Sequence, residues 1–142
     1  MIRMSKLADY SFILLTQMVS GNKESWAASD LAAKTTLPPP TVAKLMKLLA
    51  KGGIVTAQRG ATGGYRLTLP PPEISITKII EAVDGPIALT DCVDKNNPEC
   101  AVQSHCPMHG GWNKVNKALR QALETVFLSD LMPHATSMAA RK

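Results

Sequence analysis

Residues 29–69 read SDLAAKTTLPPPTVAKLMKLLAKGGIVTAQRGATGGYRLTL. The opening Ser-Asp pair is a helix start signal, and the prolines at 38–40 both end that first short helix and open the next one. Residues 41–51 predict a second helix, which the pair Gly52-Gly53 terminates. Two short helices joined by a tight connection predict a helix-turn-helix.

A glycine-rich turn follows the second helix and separates two short runs of strand-forming residues. Residues 54–57 and 65–69 predict the two strands, and RGATGG at 59–64 predicts the hairpin tip between them. The prolines at 70–72 predict a stiff spacer that closes this unit. The sequence therefore predicts a winged helix-turn-helix, in a mainly α fold with a small β-wing.

Apolar spacing predicts further helices on both sides of this unit. Residues 5–19 and 75–84 repeat apolar side chains at helical intervals, and a longer pattern follows Gly110 with the spacing of a coiled-coil seam. The seam residues are Trp112, Val115, Leu119, Ala122 and Val126. We expect a long C-terminal dimerisation helix over 110–131, about 30 Å in length between residues 112 and 131.

The positive charge of the chain is concentrated in its first half. Residues 1–72 carry nine Lys/Arg against three Asp/Glu, a net charge of +6, whereas residues 73–142 carry seven against eight, a net charge of −1. A basic front half indicates contact with a polyanion. The sequence thus predicts a winged-helix DNA-binding domain over 1–72 and a second part over 73–142, with a loop at 86–109 before the long helix.

Lysines on the second helix of the motif are the main candidates for contacts with double-stranded DNA. Three of them share one helix face, which we expect opposite Leu45, Leu48 and Leu49. In this motif the second helix enters the major groove, and basic residues around it contact phosphates or the minor groove. The predicted DNA-binding residues are Thr41, Ala43, Lys44, Lys47, Lys51, Arg59, Gly60 and Tyr65. The alternative is an ordinary solvated lysine face.

A second group of candidate functional residues is the array Cys92-x7-Cys100-x5-Cys106-x2-His109. Zinc sites usually contain closely spaced C-x2-C pairs, and this array has none. Iron–sulfur clusters accept wider spacing, and thiolates suit iron and sulfide. The array therefore favours an iron–sulfur cluster, with a zinc site, a thiol redox switch and chemically inert cysteines as the alternatives.

Composition and cysteine count exclude several other classes of protein. No apolar run approaches the roughly 20 residues that a membrane helix needs, and Asp9 interrupts the only stretch that resembles a signal sequence. Three cysteines cannot pair completely in disulfides. We expect a cytoplasmic protein that is not an enzyme and has no membrane partner.

These residues together resemble the bacterial Rrf-type family of iron–sulfur-responsive winged-helix regulators, which includes the IscR and NsrR branches. The resemblance covers about residues 1–131 and rests on RGATGGY at 59–65, AVDG at 82–85 and the three-cysteine loop before a long helix. It implies a homodimeric transcription regulator, a repressor or activator, whose cluster, most often [2Fe-2S], tunes DNA binding. It also implies control of iron–sulfur assembly genes, of the SUF type.

The resemblance also assigns ligands to the cluster. The IscR pattern of three cysteines and a following histidine matches Cys92, Cys100, Cys106 and His109, and the NsrR pattern offers Asp9 as an alternative fourth ligand. Two alternative functions stay open. One is a winged-helix regulator with a structural zinc site, and the other is a small iron–sulfur redox protein.

Overall fold

The computed structural model describes residues 1–96 and 100–133. Its helices and strands are, in chain order, α1 (Lys6–Ser20), α2 (Ala28–Thr35), α3 (Pro39–Lys51), β1 (Val55–Gln58), β2 (Gly64–Leu67), α4 (Ile76–Asp84) and α5 (Gly111–Glu124). Single 3-10 turns lie at Pro71–Glu73, Asp91–Val93, Gln103–His105 and Leu128–Leu131. The predicted fold class, mainly α with a two-stranded wing, is confirmed.

Helix α1 forms where its apolar spacing predicts it. The Ser5 hydroxyl accepts a hydrogen bond from the Ala8 N–H at 2.9 Å and so satisfies one of the free donors of the first turn. Gly21 ends the helix and donates its N–H to the Gln17 carbonyl. The buried face includes Leu14, Leu15 and Met18, and it forms one wall of the core.

Helix α2 begins earlier than predicted. Its N-cap is Ala27, which makes no side-chain capping bond, so the expected cap at Ser29-Asp30 is wrong. The cause lies just upstream, where the Trp26 backbone exchanges two hydrogen bonds of 2.8 Å with Tyr65. That pairing fixes the chain as extended up to residue 26, and the helix starts as soon as the constraint ends. The apolar residue Leu31 is fully buried.

Helix α3 begins with proline in its first turn, as predicted. Proline has no backbone N–H, and this is tolerated there because first-turn N–H groups have no acceptor within the helix. Its inward face is Val42, Leu45, Met46 and Leu49, all fully buried. The prediction that Leu48 lies on this face is wrong, because Leu48 is only partly buried and Met46 takes the inward position. At about 100° per residue, Met46 lies closer than Leu48 to the centre of the buried arc.

Strands β1 and β2 pair antiparallel, with Val55 opposite Leu67 and Gln58 opposite Gly64. Each strand is shifted by one residue from its predicted start, and the tip is closed by a hydrogen bond from the Gly63 N–H to the Gly60 carbonyl. A Cβ on Gly63 would lie only 2.6 Å from the Gln58 carbonyl oxygen, so the turn requires glycine there.

The prolines at 70–72, which the sequence predicts as a stiff spacer, lead into a short helical turn. Pro71–Glu73 forms a 3-10 turn, and the chain then pairs with residues near the end of the described structure. Ile76 donates its N–H to the Val126 carbonyl at 3.0 Å, and Leu128 donates to the Ile74 carbonyl at 2.8 Å. Leu128 is fully buried and belongs to the same core as α1 and α3.

The same backbone pairing shortens the last helix. Helix α5 ends at Glu124, so the prediction of a continuous helix over 110–131 is wrong. Its 14 residues span about 21 Å, not about 30 Å. The chain leaves the helix because the backbone of residues 126–128 finds partners across from residues 74–76, and because Leu128 gains complete burial there.

Candidate DNA interface and cysteine loop

The exposed face of α3 carries the predicted lysines. Lys44, Lys47 and Lys51 are all exposed and lie within about 60° of one another around the helix axis. Thr41 and Ala43 are half-buried at the borders of this face. The structure therefore places the lysines on one side of α3, with the fully buried core residues of the helix on the other.

These lysines are available to an external anion. Among the residues that the structure describes, the ion pairs involve Lys23 and Arg120 and none of the α3 lysines. Lys23 pairs with Asp30 at 3.0 Å, and its Nζ also lies 5.0 Å from the centre of the Trp26 ring. Of the eight basic residues in the first half of the chain that form no ion pair within the described part of the structure, five lie on α3 and the wing.

Of the predicted DNA-binding residues in the wing, two are exposed at its tip and one is packed at its base. Arg59 and Gly60 are exposed at the hairpin tip, where Gly60 has a φ of +111° that favours glycine. Tyr65 lies at the base, where its side chain packs against the core and its backbone pairs with Trp26. Arg66 was missed by sequence reasoning. It is exposed on β2, and the sequence signal that indicates it is a basic residue between the apolar residues Tyr65 and Leu67 of a predicted strand.

The three cysteines are unpaired, half-buried thiols in the segment between α4 and α5. The Cys92 sulfur lies 3.1 Å from the Thr90 hydroxyl, within the turn Asp91–Val93. The Cys106 carbonyl accepts a hydrogen bond from the His109 N–H at 3.1 Å, which joins these two residues in one turn. Cys100 and His109 line one open hollow on the surface together with Gln103 and Ser104.

The structure does not bring the predicted ligands together at one point. Within residues 1–96 and 100–133, no three His, Cys, Asp or Glu side chains converge into a group able to hold a metal ion. Asp9, the alternative ligand, is exposed on α1, one turn after the Ser5 cap. The chemistry of the donors nevertheless suits iron and sulfide, because three half-buried thiols and one exposed imidazole lie in the segment between α4 and α5.

Asn116 fastens the cysteine loop to α5, and sequence reasoning did not identify it. Its side-chain amide donates to the Ile87 carbonyl at 2.9 Å and accepts from the Leu89 N–H at 3.0 Å. One turn further along, Arg120 donates to both carboxylate oxygens of Glu81 on α4, at 3.0 and 3.4 Å. The hydrogen bond and the charge of Glu81 raise the pKa of Arg120 above its usual value.

Helix α5 presents an apolar stripe beside this fastened face. The stripe consists of Trp112, Val115, Leu119 and Ala122, and Val115 is 47% exposed. Val126, the fifth predicted seam residue, lies beyond the helix and packs against the core. Four of the five predicted seam positions are therefore on α5.

No helix among the described residues combines the length and the apolarity that crossing a membrane requires.

The sequence and the fold both have known relatives. Residues 4–134 match the Rrf2 family, described as iron-dependent transcriptional regulators. Protein rrf2 of Nitratidesulfovibrio vulgaris is 29% identical over 124 residues, covering 87% of this chain and 82% of that protein. The HTH-type transcriptional regulator IscR of Aliivibrio salmonicida is 31% identical over 104 residues, covering 73% of this chain and 61% of that protein.

A solved structure shows the same architecture. CymR, the global cysteine regulator of B. subtilis, superimposes with a TM-score of 0.67 at 23% identity, covering 92% of this chain and 96% of CymR. The resemblance to winged-helix regulators is thereby confirmed for the fold, and the family match extends it to function. The chain belongs to the Rrf2 family and is a DNA-binding transcription regulator, a class of protein distinct from enzymes.

Proposed function

We propose that this protein is a homodimeric transcription regulator whose affinity for operator DNA depends on an iron–sulfur cluster held by the cysteine loop. The observation that carries the proposal is the attachment of that loop. Three half-buried thiols lie on a segment that a side chain of α5 fastens by two hydrogen bonds. The same molecule carries a helix, α3, whose exposed lysines form no ion pairs among the described residues.

The exposed face of α3 provides the DNA contacts in this proposal. The N-terminal part of the helix enters the major groove, so Thr41, Ala43 and Lys44 reach base edges. Lys47 and Lys51 neutralise phosphates, and the wing residue Arg59 contacts the backbone or the adjacent minor groove. Gly60 permits a close approach of the wing backbone, and the packed side chain of Tyr65 fixes the wing's direction.

The cluster ligands in this proposal are Cys92, Cys100, Cys106 and His109, with Asp9 as the alternative to the histidine. A [2Fe-2S] cluster would supply a centre whose presence depends on iron, oxidants and nitric oxide. The backbone hydrogen bond from the His109 N–H to the Cys106 carbonyl, which keeps these two residues in one turn, supports their joint role. Ligation would draw the thiols together and order a segment whose described residues form short turns.

A second copy of the chain covers the apolar stripe of α5 in this proposal. Exposed apolar side chains at helical spacing lose contact with water when two such helices pair. A two-fold axis between them presents two α3 helices to one DNA duplex. Residues 1–72 then supply the DNA face, while residues 73–142 supply the loop at 86–109 and the pairing helix.

The family match supports the proposed role in the cell. A family of iron-dependent transcriptional regulators suits a repressor of iron–sulfur assembly genes, because loss of the cluster reports directly that more assembly is needed. Such a regulator acts in the cytoplasm, where the bacterial operator DNA is.

An anaerobic purification tests the proposal. We expect a visible absorption spectrum with equal counts of iron and sulfide, and DNA affinity that differs between the cluster-loaded and cluster-free protein. The Cys92→Ala variant should lose the spectrum and show only the cluster-free affinity. A colourless protein that contains zinc, or a cluster-loaded protein that binds DNA no differently from the cluster-free form, would contradict the proposal. Cluster without salt-dependent DNA binding would indicate a redox protein instead.

A further inference from the structure

Residues 87–89, which lead to Cys92, are hydrogen-bonded to one side chain of α5. Asn116 bonds to Ile87 and Leu89, partners that lie 29 and 27 residues away in the sequence. These bonds fix the chain three residues before Cys92, whose sulfur is itself 3.1 Å from the Thr90 hydroxyl. Any movement of Cys92 toward other ligands therefore pulls on the segment that Asn116 holds.

The same face of α5 is joined to α4 one helical turn later. Arg120 bonds to both oxygens of the Glu81 carboxylate and also lies 3.1 Å from Glu124 on its own helix. A two-oxygen contact of this kind fixes the orientation of the guanidinium as well as its distance. A shift of α5 that starts at Asn116 therefore reaches α4 at Glu81.

Helix α4 in turn lies directly against the end of α3. A Cβ on Gly52 would come within 2.5 Å of the Ala82 Cβ, so the backbone at the end of α3 touches the residue that follows Glu81. Gly52 donates its N–H to the Leu48 carbonyl and so closes the last turn of α3. The contacts from Asn116 to Gly52 form an unbroken series of packed or hydrogen-bonded groups.

We infer that Asn116 is the positioning residue through which the cysteine loop sets the orientation of α3 on DNA. The inference rests on the proposed function, since it names the connection between that function's two sites. Asn116 suits the role because its amide both donates and accepts, so it holds two points of the loop in one geometry. The coupling between the two sites is a free energy that DNA affinities measure.

The decisive experiment compares DNA affinities of cluster-loaded and cluster-free protein for three chains. In the unaltered chain we expect the two affinities to differ by about fivefold or more, as allosteric couplings usually do. In Asn116→Ala we expect the visible spectrum of the cluster to be retained, DNA to be bound by both forms, and the two affinities to become nearly equal. Asn113→Ala is the matched control, because Asn113 is an exposed asparagine on the same helix. It should keep the unaltered ratio.

Asn116→Asp provides a graded variant. The carboxylate still accepts from the Leu89 N–H but cannot donate to the Ile87 carbonyl, so we expect a ratio between those of the unaltered and alanine chains. This variant also keeps the inference testable if the alanine variant folds poorly.

Two measurements on cluster-free protein test the fastening itself. In Asn116→Ala we expect faster hydrogen exchange at the Leu89 amide and faster alkylation of Cys92 by iodoacetamide, with both rates unchanged in Asn113→Ala. Unchanged rates in Asn116→Ala would overturn the inference, because the loop would then be held by other contacts.

The possible results distinguish a failure of the proposed function from a failure of the proposed role of Asn116. If the unaltered chain binds DNA equally with and without the cluster, the proposed regulation fails, and the positioning role fails with it. If the unaltered chain shows the difference and Asn116→Ala keeps it, the proposed function stands and the inference about Asn116 is overturned.

Discussion

Gly64 shows how little space the base of the wing leaves for a side chain. Its φ is +150°, and a Cβ there would lie 2.6 Å from the Trp26 carbonyl oxygen. We expect Gly64→Ala to lower the free energy of unfolding by about 1–3 kcal/mol, since both backbone strain and the clash oppose it. Urea denaturation measures this loss. Gly60→Ala is the control, because Gly60 also has a positive φ but has open space around it. Equal losses in the two variants would contradict the argument.

Single lysines on α3 should reveal whether they contact phosphates. For Lys47→Ala and Lys51→Ala we expect the slope of log affinity against log salt concentration to decrease in magnitude by about one each, because each phosphate contact releases counterions. Fluorescence anisotropy with a labelled duplex at several salt concentrations measures the slope. Lys117→Ala removes an exposed lysine from α5 and should leave the slope unchanged. Unchanged slopes in all three variants would remove α3 from the DNA interface.

Helix α5 is the element that the pairing proposal depends on. We expect Val115→Glu to convert a dimer to a monomer, because it places a charge in the middle of the apolar stripe, where pairing would remove it from water. Sedimentation velocity at micromolar concentration measures the change. Lys114→Glu is the matched control, since the neighbouring residue is exposed away from the stripe. An unaltered chain that sediments as a monomer, or a Val115→Glu variant that remains dimeric, would contradict the pairing.

The helices also show which parts of the fold depend only on nearby residues and can therefore be predicted from the sequence. Apolar spacing predicts α1 and α4, and each begins at a serine, Ser5 or Ser75, whose hydroxyl caps a turn within three residues of itself. The end of α5 was not predicted, because it depends on backbone pairing between residues 126–128 and 74–76. The start of α2 was missed for the same reason, since Tyr65 fixes the chain at Trp26.

In the candidate site too, features set by nearby residues could be predicted from the sequence, and features set by distant residues could not. The lysine face of α3 follows from helical spacing alone, and the structure keeps those residues exposed. Asn116 has no local pattern to indicate it, since its partners are nearly thirty residues away and are backbone groups of an irregular segment. The cysteines could be recognised as a group from the sequence, but their arrangement depends on how that irregular segment is folded.

At the level of the whole molecule, one core joins the DNA-binding part to the segment after α5. Leu128 is fully buried in it, so we expect Leu128→Ala to lower the free energy of unfolding by about 2–5 kcal/mol. The loss should appear in a single transition reported equally by Trp26 fluorescence in a Trp112→Phe background and by far-ultraviolet circular dichroism. Leu131→Ala is the control, because that leucine is 45% exposed. Two separate transitions would indicate two independently stable units.

The shared core also sets the order of events while the chain is being made on the ribosome. Helices α1 and α3 are synthesised early, but the core they belong to stays open until Leu128 has emerged. Because Leu128 follows all three cysteines, no nascent chain can complete its DNA-binding fold before its cysteine loop has been synthesised. A ribosome that stops early releases a fragment with exposed apolar helix faces, which is a substrate for proteolysis. We therefore expect quality control during translation to remove fragments of this DNA-binding protein that lack the loop.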